Sequence, residues 1–287
     1  MTERPLGSVV IPAHNEQSVI AECLAPLAGA SADGRLEIVV VCNGCTDSTA
    51  EVARGFPGVT VLELPVGSKP AALRAGDRAV HALPRIYLDA DVVLPLDSAL
   101  AVLARLAPST VEGTGGPLAG RPPVRYDPTG SPALVRRYYR ARAQIPAVLG
   151  SLWGAGVYAL SAAGRARFED FPDLVADDLW VDQLFEPHEV EIVDCPPVTV
   201  TTPRHTRDLL NVLRRTYRGK SEHQTVNAEM ARETQSDTAR DVMRLARRGP
   251  GGLVDAATYT GLVVTARLAQ RLSRDDTWER DESSRER

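Results

Sequence analysis

Short apolar runs alternate with amphipathic stretches over the first hundred residues. Residues 8–11, 36–41, 59–64 and 85–88 read as four strands. The second is a continuous β-branched run, the pattern of a parallel strand buried on both faces. Residues 18–28 place Val19, Ile20, Cys23, Leu24 and Leu27 on one helical face. Asp47 or Ser48 can cap a helix that runs through Arg54. Residues 68–82 form another helix, with Pro70 in the first turn, where a missing N–H costs little. A further helix covers 95–107. This βαβαβαβ order predicts an α/β fold: a Rossmann-like, doubly wound, mostly parallel sheet flanked by helices and joined by right-handed crossovers.

The texture changes after residue 107. Residues 108–132 are rich in Gly and Pro and read as extended strands and loop. Residues 134–149 have a helical pattern that Pro146 stops or kinks, and 154–160 is small and apolar, like a buried edge. A short helix over 177–185 carries Asp177, Asp178 and Asp182, and strands at 190–193 and 198–201 flank Pro196-Pro197. From Asp208 the chain reads as helical to about 248, and again over 253–272 as a C-terminal helical extension. Residues 273–287 are almost wholly charged and are expected to be disordered.

A chain of 287 residues can bury a full core in one or two domains. Its net charge of −4 gives no reason to expect nucleic acid as a partner, although cationic residues bunch at 204–220 and 240–248, where a local anion site is possible. The run Val9-Val10-Ile11 is broken by Pro12, which argues against a signal peptide. The most apolar stretch, 253–269, contains Asp255, three threonines and Arg267, so it is no membrane span but could lie at a membrane surface. Cys42-Asn43-Gly44-Cys45 has C-x-x-C spacing without a second pair or nearby histidines to complete a zinc site. Reduced cysteines of a cytoplasmic protein are the expectation.

The chemistry concentrates at Asp89-Ala90-Asp91, directly after the fourth strand. Residues i and i+2 of an extended strand point to the same side, so both carboxylates should project together from the strand's end, where such folds hold ligands. Hard oxygen ligands suit Mg²⁺ or Mn²⁺, which one or two carboxylates and substrate phosphates commonly hold. A solvated acidic turn is the other reading of these residues alone.

Three motifs in order, Val9-Val10-Ile11-Pro12-Ala13-His14-Asn15-Glu16, Val39-Val40-Val41-Cys42-Asn43-Gly44-Cys45-Thr46-Asp47 and Leu88-Asp89-Ala90-Asp91, resemble the nucleotide-sugar-binding half of family 2 glycosyltransferases. The resemblance implies a GT-A fold, with 1–107 binding the donor, 108–220 forming the acceptor-binding and catalytic half, and 221–272 the helical extension. By that likeness Pro12, Ala13, His14 and Glu16 wrap the nucleoside, with His14 where an aromatic residue often stacks. Asn43 stands where an aspartate commonly accepts from the nucleobase, a departure that leaves UDP-, GDP- and dTDP-sugars all open. Lys69 falls near the nucleotide, Asp91 holds the metal (Mn²⁺ or Mg²⁺), Asp89 contacts the ribose or the metal shell, and Ala90 stands between them in the D-x-D. Asp177-Asp178 resembles the acidic pair before the family's catalytic helix. Asp178 is then the general base, with Asp177 and Asp182 as alternatives. Trp153-Gly154-Ala155-Gly156 would line the acceptor pocket, Trp153 serving there or in the core. His205 would be an additional metal ligand, and Arg214, Arg215, Arg218 and Lys220 could meet phosphates.

The implied activity is an inverting transfer of a hexose to a hydroxyl, on a lipid carrier, a polysaccharide end or a small natural product, in the cytoplasm or at the inner membrane face. A retaining glycosyltransferase, a sugar nucleotidyltransferase and a non-catalytic nucleotide-sugar-binding protein stay open as alternatives.

Overall fold

The computed structural model describes residues 4–108, 116–174, 176–224 and 238–272. The expected disorder of 273–287, part of the Gly- and Pro-rich stretch and part of the long helical reading up to 248 lie outside the described residues. By packing, the chain divides into two compact units, 1–124 with 152–199 and 125–151 with 200–287.

The first unit is built on a seven-stranded sheet. Its strands are β1 (Gly7–Ala13), β2 (Leu36–Asn43), β3 (Val59–Leu64), β4 (Arg85–Leu88), β5 (Ala119–Arg121), β7 (Val157–Leu160) and β8 (Val190–Ile192), in the order β3-β2-β1-β4-β7-β5-β8. β6 (Val124–Asp127) and β9 (Val198–Thr201) form a separate two-stranded ribbon. β1 pairs in parallel with both β2 and β4, and β2 with β3, so the βα alternation of the sequence became the doubly wound half of the sheet. β7 runs antiparallel between β4 and β5. The stretch expected at an edge is therefore internal, which its small apolar residues permit because helices and loops cover both faces.

Alternation along the strands divides the core into two layers. Val9, Ile11, Ile86 and Leu88 face one side, with Val102 and Leu103 of a covering helix. Val10 and Tyr87 face the other, with Leu73, Tyr158 and Phe171. The helices of this unit are α1 (Ile20–Leu24), α2 (Ala28–Ala32), α3 (Thr49–Arg54), α4 (Lys69–Ala79), α5 (Leu96–Leu106), α8 (Ala162–Arg165) and α9 (Asp177–Asp182). The single helix expected over 18–28 is two short ones, because Pro26 has no N–H to donate and interrupts the ladder. Ser68 caps α4, its side chain accepting from the Ala71 N–H at 3.3 Å.

The second unit contains α6 (Ala133–Arg142), α7 (Pro146–Leu149), α10 (Thr206–Gln224), α11 (238–246) and α12 (Pro250–Leu272). Pro146 opens α7 rather than kinking a longer helix, since its fixed φ suits a first turn. α6 and α12 pack through stacked Tyr138 and Tyr259, with ring centroids 5.2 Å apart, and through Arg137, which reaches the buried Asp255 at 2.9 Å. No described helix is long and apolar enough to cross a membrane.

Candidate active site

The parallel strands deliver three turns to one end of the sheet. β1 stops at Ala13, β2 at Asn43 and β4 at Leu88. The turns that follow lie outside the carboxyl ends of the strands, next to the β1–β4 boundary where strand order reverses. Open α/β sheets hold their ligands at that switch point.

The first two turns are laced together. Asn15 adopts φ 54°, a left-handed conformation that Asn tolerates, and its Oδ1 accepts from the Thr46 N–H at 2.8 Å. The Glu16 N–H donates to Thr49 Oγ1 at 2.7 Å, and the Ser48 N–H to Gln17 Oε1 at 3.0 Å. Half-buried His14 places Nδ1 2.5 Å from the Asn43 carbonyl oxygen. A carbonyl only accepts, so Nδ1 is the donor in this contact. Pro12 and Ala13 are buried, as is Glu16.

Asn43 braces the turns at this end of the sheet. Its buried amide donates to the Ala13 carbonyl at 2.7 Å and accepts from the Ser68 N–H at 2.9 Å. Both ends are engaged in binding the first turn, the second turn and the start of α4 to one another. Gly44, at φ 59°, completes the turn, since a Cβ there would lie 2.4 Å from the Gly67 nitrogen. Cys42 and Cys45 are free thiols. Burial, reinforced by Cys45, pushes the Cys42 thiol up to about 12, the opposite of the low value that a reactive thiolate needs.

The acidic motif also differs from its expected shape. β4 ends at Leu88, and Ala90-Asp91 form a turn, so the strand rule that puts residues i and i+2 on one side does not apply. Asp91 is exposed, Asp89 is half-exposed and Ala90 is buried. The Asp89 N–H donates to the Gly156 carbonyl at 2.8 Å. Both charges act on one buried group: beyond burial, Asp91 and Asp89 drive the Cys23 thiol upward.

α9 brings the second set of acids to the same place. Lys69, at the start of α4, forms ion pairs with Asp89 at 2.7 Å and with Asp177 at 2.8 Å. Burial alone would lower its pKa, but Asp177, Asp89 and Asp178 together hold the ammonium well above its usual range. Asp177 is buried, and its other oxygen accepts from the Tyr158 hydroxyl at 3.0 Å. Asp178 is half-buried and accepts from the Gly154 N–H at 2.7 Å and the Leu179 N–H at 2.8 Å. Burial and then the charge of Asp177 raise its pKa, against the pull of Lys69 and the Gly154 hydrogen bond. Asp182 accepts from the Leu152 N–H at 2.6 Å, so Asp178 and Asp182 grip one strap from a shared helical face. On that strap Trp153 is buried with the core residues. Gly156 adopts φ 66°, and a Cβ there would lie 2.5 Å from Val92 and 3.4 Å from Asp89 Oδ2.

Pro12, Lys69, Asp89, Gly156, Tyr158, Asp177 and Asp178 line a small recess open to solvent. Its floor is a polar–aromatic stack that the sequence did not single out. Tyr158 lies on Tyr87 with centroids 5.0 Å apart, and Tyr87 donates to Asp77 at 2.7 Å. Asp77 also pairs with Arg85 and Arg165. Tyr87 and Tyr158 are cross-strand partners of β4 and β7, a pairing that no local signal announces.

The donor set suits a hard divalent cation. Exposed Asp91 and half-exposed Asp89 present carboxylate oxygens at an open turn, and no enclosing set of three or more His, Cys, Asp or Glu occurs among the described residues. Mg²⁺ and Mn²⁺ accept such a site, because waters and substrate phosphates complete their shell. His205 is exposed in the turn before α10, in the second unit. Arg214 is half-buried on α10, and the side chains of Arg215, Arg218 and Lys220 lie outside the described residues.

Comparison with known proteins agrees with this architecture. Residues 8–143 match the model of glycosyl transferase family 2. An N-acetylglucosaminyltransferase of Rhizobium leguminosarum bv. phaseoli is 31% identical over 134 residues, 43% of this chain; the match spans 30% of that relative's length. Among solved structures, a mannosyltransferase from Pyrobaculum calidifontis, bound to GDP-Man and Mn²⁺, superposes with a TM-score of 0.62 at 17% identity, covering 96% of this chain and 89% of its own. Glucosyl-3-phosphoglycerate synthase from Mycobacterium tuberculosis, bound to Mn²⁺, UDP and glucosyl-3-phosphoglycerate, gives 0.52 at 22% identity, covering 76% of this chain and 78% of its own. At such identities the structural likeness establishes the fold, of GT-A type. The chain is therefore similar to glycosyl transferase family 2 over residues 8–143, 136 of its 287 residues.

Proposed function

We propose that the protein is an inverting, metal-assisted glycosyltransferase that moves a hexose from a UDP-, GDP- or dTDP-sugar to an acceptor hydroxyl. One observation carries the reading: a single recess at the ligand end of the sheet brings Asp89, of the first acidic motif, together with Asp177 and Asp178 of α9, across Lys69. In this reading Pro12, Ala13, His14 and Glu16 form the nucleoside wall, braced by Asn43. Lys69 and Asp89 lie beside the diphosphate. Asp91 would hold Mn²⁺ or Mg²⁺, which when bound would neutralise the leaving diphosphate.

Asp178 is the general base. Inversion needs a carboxylate that removes the acceptor's proton as its oxygen attacks the sugar from the side opposite the nucleotide. Asp177 is poorly suited to that task, because its side chain is only 8% exposed and is held in an ion pair with Lys69 and a hydrogen bond from Tyr158. Asp178 has one backbone N–H on each oxygen, which leaves lone pairs free. Its raised pKa also makes it a stronger base than an ordinary carboxylate. The strap from Leu152 to Gly156 then forms the acceptor wall. We place residues 1–107 as the donor half, 108–220 as the acceptor half and 221–272 as an extension. The four free thiols support a reducing, cytoplasmic setting. The acceptor's carrier, lipid or small molecule, is left to experiment.

Asp178→Asn tests the assignment. Calorimetric binding of nucleotide with Mn²⁺ should persist while transfer falls by at least about 10²-fold. Retained turnover would remove Asp178 from the role, and NMR of the product's anomeric centre would separate inversion from retention.

A further inference from the structure

The helical extension carries a surface that the catalytic reading does not use. The inner side of α12, Ala256, Tyr259, Val263 and Ala266, is buried. Its outer side should be polar if it faced only water. Instead Leu253, Ala257, Gly261, Val264 and Leu268 follow one another at helical spacing and are all exposed, Leu253 by 57% and Leu268 by 54%. Val254 and, on α11, Met243 are exposed as well. Contiguous exposed apolar surface of this kind marks an interaction site.

Among the described residues of α11 and α12, the exposed charges have one sign. Between 238 and 272 the acids are Asp241 and Asp255, and both are buried. Asp241 pairs with Arg244, and Asp255 with Arg137 and Arg140. Every exposed charge described on α11, α12 and their connection is an arginine: Arg240, Arg244, Arg247, Arg248 and Arg267. Gly252 joins the two features, since a Cβ there would lie 2.4 Å from the Leu245 oxygen and 3.3 Å from Arg248 Cβ. The arginine-rich end of α11 therefore sits against the start of the apolar stripe.

We propose that the outer face of α11 and α12 docks on an anionic lipid bilayer. Leu253, Val264 and Leu268 enter the boundary between headgroups and acyl chains, while Arg244, Arg247 and Arg248 meet lipid phosphates. Aliphatic side chains beside cationic ones, on a helix unable to span, match the chemistry of an interfacial helix. Arginine stems can lie along the apolar layer with their heads in the headgroups. A net charge of −4 would repel the whole chain from such a surface, so attachment must come from this local face. The proposal stands apart from the assignment of the active site.

Flotation of the full chain with vesicles tests it, comparing phosphatidylcholine alone with phosphatidylcholine containing phosphatidylglycerol. Binding should appear with the anionic vesicles and weaken as salt rises. Arg247→Gln and Arg248→Gln should each lower partitioning about fivefold, and Leu253→Ser with Leu268→Ser by about tenfold or more. Unchanged thermal midpoints would verify folding of these surface variants. No binding to anionic vesicles, or equal binding to both kinds, would overturn the proposal. So would a dimer in sedimentation velocity that Leu253→Ser dissolves while vesicles capture nothing.

Discussion

Removing the ammonium of Lys69 by Lys69→Met gives the sharpest test of the site's electrostatics. The substitution keeps the length of the side chain but deletes two charge-assisted bonds, to Asp89 at 2.7 Å and to Asp177 at 2.8 Å. They should not count equally. The Asp89 side chain is 41% exposed, so water replaces much of that bond and its loss costs at most about 1 kcal/mol. Asp177 is 8% exposed and keeps only the Tyr158 hydroxyl among its described partners. Breaking a buried pair costs about 3–5 kcal/mol; Lys69 is itself 26% exposed, which lets water follow, so about 2–3 kcal/mol is expected. For a unit of this size, that lowers the thermal midpoint by roughly 5–10 °C.

The same change acts on Asp178. Its raised pKa is opposed by the positive charge of Lys69, so without that charge it rises further. A base must be deprotonated to act, and the acid limb of the pH–rate profile should therefore move to higher pH. Asp177→Asn in the Lys69→Met background should recover part of the lost stability, because the uncompensated buried charge is gone. A double-mutant cycle by urea denaturation measures that coupling. Stability losses that simply add, with an acid limb that stays in place, would refute the reasoning.

Asp77→Asn should destabilise the fold by about 3–5 kcal/mol at pH 7, because Arg85 and Arg165 lose their shared carboxylate. Burial would raise the Asp77 pKa, but hydrogen bonds from Arg165 and Tyr87 and the charge of Arg85 hold it below the ordinary value. Its stabilisation is therefore complete above the unfolded-state pKa and lost as pH falls through the depressed one, so the gap between wild type and variant in urea titrations should narrow in acid. Gly156→Ala forces φ 66° on a residue with a Cβ and drives that atom into Val92; a loss of about 1–3 kcal/mol and weaker nucleotide binding by calorimetry are expected. Asp91→Asn should abolish the extra thermal stabilisation that Mn²⁺ adds to a nucleoside diphosphate, while leaving the midpoint of the free protein within about 1 °C.

Much of the donor side was legible because its signals are local. Apolar runs bounded by turn residues marked β1 to β4, and the residues after each run marked the ligand end of the sheet. Ser68 and Pro70 announced the start of α4 by capping and by a fixed φ. Where the sequence reading failed, a competing local or long-range force prevailed. Pro26 outweighed the periodicity over 18–28, and the turn at Ala90-Asp91 ended the strand alternation on which the expected direction of the two carboxylates depended. The amide of Asn43 was drawn inward by backbone groups some thirty residues before it and twenty-five after it.

Composition and motif order by themselves determined an α/β sheet, the acids at its ligand end and a second acidic pair some ninety residues later. Only the tertiary structure decided how those acids meet. The antiparallel insertion of β7 beside β4 sets Tyr158 on Tyr87 and turns Tyr158 toward Asp177. Lys69 then closes the circuit from Asp177 to Asp89. Strand pairing and ion pairing depend on distance in space, which spacing along a chain does not encode, so the sequence sets Lys69 near the nucleotide without showing that it bridges two acidic motifs. In the fold it is the charge that holds the two acidic motifs together.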